Sequence, residues 1–171
     1  KNIIVFNVPN ISFSSVAELT FGLILSLTRK ICLADSQLKK NIWKKSELYG
    51  NELKGKTIGI IGLGKIGSNV AEIAKGFGMN IIACVKDNSF ERRKNLKEMG
   101  IEIVSLQELL KKADIITLHV PLNEETRDLI TKKELMLMKN NSFIINMSRG
   151  GVINEKDLTA EDIENHHIPK V

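Results

Sequence analysis

The feature that most narrows the fold of this chain is a glycine-rich turn caught between a strand and a helix. Thr57-Ile58-Gly59-Ile60-Ile61 is short, apolar and rich in β-branched residues, as a buried strand requires, and Gly62-Leu63-Gly64-Lys65-Ile66-Gly67 follows at once. Ile66, Val70, Ile73, Ala74 and Phe77 then recur at helical spacing, and Gly78 marks the stop. The same alternation continues downstream. Strands are expected at Asn80 to Val85, Ile101 to Val104, Ile115 to Val120 and Ser142 to Met147. Between them fall a charged helix around Glu91 to Met99, a small helix capped by Ser105 and Glu108, and another capped by Thr131 and Glu134. Strands separated by helices in this order predict an α/β fold with a doubly wound parallel sheet and helices on both faces.

Upstream of the glycine turn, Ile3 to Phe6 reads as a short strand ended by Asn7-Val8-Pro9-Asn10, because proline fixes its own dihedral and offers no donor. A long helix is expected from Val16 to Ile31, with Ser15 and Glu18 at capping-box spacing. It is apolar on most of its circumference, so other elements have to cover it. From Leu33 to Lys56 the chain turns polar, with Trp43 and Tyr49 as the large anchors, which suits a surface excursion or an arm that packs on another chain.

A chain of 171 residues with 43% hydrophobic content is long enough for one domain that buries roughly 70% of its unfolded surface. The net charge of +5 comes from 25 basic and 20 acidic residues, mostly lysines interleaved with acids. Lys39, Lys40, Lys44 and Lys45, and then Arg92, Arg93, Lys94 and Lys97, read as solvated helix faces. No nucleic-acid reading motif stands beside them, so nucleic acid is not expected as a partner. Cys32 and Cys84 sit in apolar runs without C-x-x-C spacing, which argues against a disulfide framework or a metal site and for a reducing, cytoplasmic setting. The longest apolar run, Phe21 to Leu27, is well short of the roughly 20 residues a membrane span needs, and the opening residues lack a signal-peptide pattern. No membrane association is expected.

The glycine spacing G-x-G-x-x-G has chemical meaning only in the strand-to-helix setting found here. Gly62 permits the tight turn, Gly64 lets a pyrophosphate approach the backbone, and Gly67 lets the helix pack close to the strand. The phosphates would meet unpaired amides at the helix start, where the helix dipole also favours negative charge. The pattern predicts a Rossmann-type dinucleotide site. The acid that holds the adenosine ribose is expected about 20 residues on, but Val85 stands there, followed by Lys86 and Asp87. Asp87 would suit the free ribose of NAD, whereas Lys86 would tolerate the 2′-phosphate of NADP. NAD is the expected cofactor, with NADP open.

Two further stretches give a family resemblance. Asp114-Ile115-Ile116-Thr117-Leu118-His119-Val120-Pro121-Leu122 with Glu125-Thr126-Arg127, and Met138-Lys139 with Asn146-Met147-Ser148-Arg149-Gly150-Gly151-Val152-Ile153, resemble the signatures of the D-2-hydroxyacid dehydrogenases. Asn7-Val8-Pro9 and Ser15-Val16-Ala17-Glu18 are similar as well. The likeness runs from about Asn2 to Leu158 and is closest in flavour to the D-3-phosphoglycerate dehydrogenases. It implies hydride transfer between nicotinamide and the second carbon of a D-2-hydroxy acid, with 3-phosphoglycerate favoured. It implies that Arg149 binds the substrate carboxylate, a task for which a planar guanidinium fork is suited. Met147, Ser148 and Arg149 would also lie near the nicotinamide and its ribose. His119, Val120, Pro121 and Thr126 would line the crevice opposite the glycine loop, and Val16 would touch the back of the nicotinamide ring. His119 itself reads as a strand-end residue, and Glu18 as a helix cap.

In such enzymes a histidine and a carboxylate farther downstream manage the hydroxyl proton, and a substrate domain precedes the opening strand. The expectation here is a dinucleotide-binding domain over residues 1–158, an atypical tail at 159–171 that includes His166 and His167, no substrate domain, and a sheet without its last strand. Such a fragment would be inactive alone. A homodimer is expected, embraced by the arm at 33–56. A reading from another class is a dinucleotide-sensing interaction module of the corepressor type.

Overall fold

The computed structural model describes residues 12–87 and 89–158. The expected strand at Ile3 to Phe6, its Pro9 turn, and His166 and His167 lie outside the described residues. The elements run in the order α1 (Phe13–Thr28), α2 (Ile31–Lys39), a 3-10 turn at Lys45–Leu48, β1 (Thr57–Ile61), α3 (Lys65–Gly76), β2 (Asn80–Cys84) and α4 (Phe90–Glu98). Then come β3 (Ile101–Ile103), α5 (Leu106–Lys112), β4 (Ile115–Leu118), α6 (Lys132–Leu135) and β5 (Phe143–Asn146). All the expected strands and helices downstream of Lys56 are present, each within two residues of its expected ends.

The five strands pair in parallel in the order β3-β2-β1-β4-β5. From β1 the chain steps outward to β2 and β3, then returns to the other side of β1 for β4 and β5. The order therefore reverses between β1 and β4, and a crevice opens beyond their carboxyl ends. Strands buried on both faces read as unbroken apolar runs, and here alternate residues serve opposite sides. Ile58, Ile60, Ile81, Ala83, Ile115 and Ile145 pack with Ala17, Phe21 and Ile24 of α1 and Val70, Ala71 and Ala74 of α3. Ile61, Ile82, Ile116, Leu118 and Ile144 pack on the other face with Leu109, Leu110 and Ala113. The glycine inside β1 is there because α5 comes so near: a Cβ on Gly59 would lie 2.5 Å from Leu109 Cδ2.

The caps at the ends of α5 and α6 follow the sequence signals. Ser105 Oγ accepts the Glu108 amide at 3.2 Å. The Thr131 amide and hydroxyl both donate to the Glu134 carboxylate, which holds the carboxyl below its usual range, chiefly through the hydroxyl.

The N-terminal third departs from expectation in several places. The expected helix at 16–31 is broken, because Lys30 adopts a left-handed conformation with φ 55° and turns the chain from α1 into α2. Apolar periodicity continues through that bend, so spacing alone does not reveal it. The Ser15/Glu18 capping box does not form; the helix begins at Ser12, and Ser15 Oγ donates to the Ser12 carbonyl at 2.9 Å from inside the first turn. Nor does α1 depend wholly on another chain for cover, because Phe21 stacks on Phe77 at the end of α3 with ring centroids 5.2 Å apart. The stretch expected as a polar arm holds α2 and the 3-10 turn, tied together by Gln37 Nε2 donating to Glu47 at 2.8 Å. Trp43 and Tyr49 are each 70% exposed and anchor nothing among the described residues. Cys32 is exposed rather than apolar in its surroundings, and Cys84 is half-buried, with burial pushing its thiol pKa up.

Candidate cofactor-binding crevice

The glycines of the turn have three separate jobs. Gly62 has φ +92°, and a Cβ there would sit 2.8 Å from the His119 carbonyl oxygen. Gly67 lies so close under the turn that its Cβ would be 2.1 Å from the Gly62 carbonyl oxygen. Gly64 has ordinary extended backbone and nothing within 4 Å of a built Cβ, so its surface is open. Leu63 is buried, while Lys65 and Ile66 open α3, whose first turn presents amides that have no partner within the helix.

The end of β4 passes beside this turn, with the His119 amide donating to the Ile61 carbonyl at 2.8 Å. Beyond it, His119, Val120, Pro121 and Leu122 line one crevice together with Ile66 and with Met147, Ser148 and Arg149 from the loop after β5. His119 Nε2 pairs with Thr117 Oγ1 at 2.9 Å, and its Nδ1 is buried without a partner among the described residues. Burial lowers its pKa to about 4, so the ring is neutral near pH 7 and is no ready proton donor. The Arg149 loop is held by Asn146. Its Nδ2 donates to the Arg149 carbonyl at 2.9 Å, and its Oδ1 accepts from the Ser148 amide at 3.0 Å and hydroxyl at 2.6 Å. The exposed Arg149 guanidinium donates from Nη1 to the Ser148 carbonyl at 2.9 Å.

Thr126 shapes its own loop, with its hydroxyl donating to the Pro121 carbonyl at 2.5 Å and accepting the Asn123 amide at 2.9 Å. Val16 sits in the first turns of α1, half-buried, and is not among the residues lining the crevice.

At the other end of the turn, Leu63, Ser68, Asp87, Ser89 and Arg92 line a second hollow. Val85 packs against the core. Asp87 accepts the Ser89 amide at 3.1 Å, which together with Arg92 holds its carboxyl below the usual range, the Ser89 contact first. Arg92 reaches from α4 to donate to the Leu63 carbonyl at 3.3 Å, with Nη1 3.9 Å from Asp87. Lys86 donates to both carboxylate oxygens of Glu125, at 2.8 and 2.7 Å.

Sequence reasoning missed Arg92, Glu125 and Asn146 as contributors. Arg92 was hidden in a run of basic residues, and the other two lie inside quoted motifs where nothing marks which side chain braces which loop. Among the described residues no group of three His, Cys, Asp or Glu side chains is placed to hold a metal, and no helix is long and apolar enough to cross a membrane.

The open surface at Gly64, just before α3 and two residues from the Ile66 that lines the crevice, fits the approach of a dinucleotide pyrophosphate to the backbone. The family model described as D-isomer specific 2-hydroxyacid dehydrogenase, NAD binding domain, matches residues 21–170. The chain belongs to this family. The match continues past Leu158, where the likeness was expected to stop. D-3-phosphoglycerate dehydrogenase of Methanocaldococcus jannaschii is 48% identical over 159 residues, 92% of this chain and 30% of that protein. Among solved structures, D-lactate dehydrogenase from Aquifex aeolicus complexed with NAD and lactic acid is 37% identical with TM-score 0.84, covering 93% of this chain and 47% of that one. An acyclic imino acid reductase in complex with NADPH and D-Arg is 38% identical with TM-score 0.81, covering 92% and 49%. The chain thus spans half or less of the length of these relatives. The corepressor alternative finds no support among them.

Proposed function

We propose that this chain is the cofactor-holding part of an NAD-dependent oxidoreductase acting on a D-2-hydroxy acid and its 2-oxo partner. The observation that carries the reading is the meeting of Ile66, in the first turn of the helix that follows the glycine turn, with the end of β4 and the Arg149 loop at one crevice, at the point where the strand order reverses. NAD, when bound, accepts or supplies the hydride. This chain's own part is to seat the phosphates on the amides at the start of α3, to wall the crevice with His119, Val120 and Pro121, and to hold the substrate carboxylate on Arg149.

Among the acids, 3-phosphoglycerate is favoured by the 48% identity to a dehydrogenase of that name. We further read the protein as a homodimer in a cytoplasmic setting. The test is calorimetric titration of the chain with NADH, followed in the full-length protein by the 2-oxo form of 3-phosphoglycerate. NADH should bind, and Arg149→Ala should weaken the oxo acid at least tenfold while leaving NADH affinity within about twofold. Absence of NADH binding would overturn the cofactor role, and an oxo acid indifferent to Arg149 would overturn the substrate role.

A further inference from the structure

Resting on the NAD reading above, we propose that Glu125 is a coenzyme-specificity residue, which disfavours a 2′-phosphorylated dinucleotide by holding Lys86. Lys86 follows β2 and Glu125 lies in the loop after β4, and in the sheet β1 stands between those two strands. Their ion pair therefore crosses above the carboxyl end of β1, where the glycine turn begins.

The acid comes from a stiff base. Asn123 Oδ1 accepts the amides of Glu125 and Thr126, both at 3.0 Å, while Thr126 Oγ1 ties the Asn123 amide and the Pro121 carbonyl together. A loop braced in this way presents the Glu125 carboxylate at little entropic cost. Both of its oxygens are used on one ammonium, at 2.8 and 2.7 Å.

The charges at this end of the site are then balanced. Arg92 is engaged by the Leu63 carbonyl and by Asp87, and Lys86 is engaged by Glu125. A dinucleotide with a free 2′-hydroxyl needs no cation here, and Asp87 lies in the same hollow to accept from it. A 2′-phosphate brings close to two negative charges, needs a cation, and meets the Asp87 carboxylate beside it and a Lys86 already held by Glu125. To bind it, Lys86 must first leave Glu125. Sequence reading weighed Lys86 against Asp87 at this position; the geometry moves the decision to a residue nearly forty positions away.

The test is a double-mutant cycle of Glu125→Gln and Lys86→Met in the full chain, with NADH and NADPH titrated by calorimetry at about 0.15 M salt, where long-range charge effects are screened beyond about 8 Å. Glu125→Gln should raise the NADPH-to-NADH affinity ratio about three- to fivefold, and the same change made in the Lys86→Met background should raise it less than about 1.5-fold. An equal gain in both backgrounds would mean that Glu125 acts by bare repulsion and would overturn the role given to Lys86. An unchanged ratio with NADH binding intact would overturn the specificity role alone. If the parent chain binds no NADH, the cofactor reading itself fails.

Discussion

His119 illustrates how burial turns a reactive residue type into a silent one. The sequence pattern left it as a strand-end residue, and its position after β4, with Nε2 on Thr117 and a pKa lowered to about 4 by burial, agrees with that assignment. Because the folded-state pKa lies below the ordinary 6.5, the unfolded chain takes up this proton first as the pH falls. The neutral ring's contribution is therefore fully present above about pH 6.5, and it is lost as the pH drops toward 4. A displacement of that size is worth about 3 kcal/mol in full, most of it lost between pH 6.5 and about 4.5. Denaturant titrations at pH 7 and 4.5 should show His119→Asn losing less stability than the parent over this interval. Parallel losses in the two proteins would mean that the ring is not desolvated. What sequence did not disclose at this scale were the braces: Asn146 under Arg149, Asn123 under Glu125 and Arg92 on the Leu63 carbonyl all pair residues whose contact depends on loop shape, which no periodicity encodes.

The unit formed by β1, its turn and α3 was legible almost completely, because the first and third glycines answer steric demands that can be stated from spacing alone. A strand that enters a helix through so tight a turn needs a positive φ at its first glycine and close contact at its third, and Gly62 and Gly67 meet those demands. The middle position has no such role in the fold, which separates folding from binding experimentally. Gly67→Ala should destabilise the chain by about 1–3 kcal/mol, since its Cβ would press on backbone that cannot yield. Gly64→Val should cost about 1 kcal/mol at most yet lower NADH affinity at least tenfold, because the added side chain would fill only the space where phosphate is expected. Thermal melts paired with calorimetry check both, and a Gly64 variant with parental affinity would remove the pyrophosphate from this turn. The N-terminal helices were less legible for a physical reason. Apolar spacing measures which face is buried, and it is blind to a single left-handed residue such as Lys30 or to which of several serines starts the first turn.

Across the whole molecule, the chain's own helices pack on both sheet faces, and large apolar side chains stay exposed at several places, Phe90, Met99 and Met136 among them, with a further series between α1 and Tyr49. Leu19 on α1, Ile31, Leu33 and Leu38 on α2, and Ile42, Trp43 and Tyr49 after it are all exposed, although the rest of α1 packs inward on α3. Scattered exposed leucines need no explanation, but a series that includes the chain's one tryptophan and one tyrosine is where we place the contact of the proposed dimer. A second copy is the occupant we expect, since a self-complementary patch closes into a two-fold dimer without exposing a further sticky face. Light scattering at tens of micromolar should then give twice the chain mass of 19.1 kDa, and Leu38→Glu with Trp43→Glu should return it to 19.1 kDa with the helical circular dichroism unchanged. Both side chains point into solvent in the single chain, so the double change should not disturb its core. A parent that runs at monomer mass would remove the dimer, and a dimer that survives the double change would move the contact to another surface, with the outer side of β5 the next to test because among the described residues no strand pairs with it.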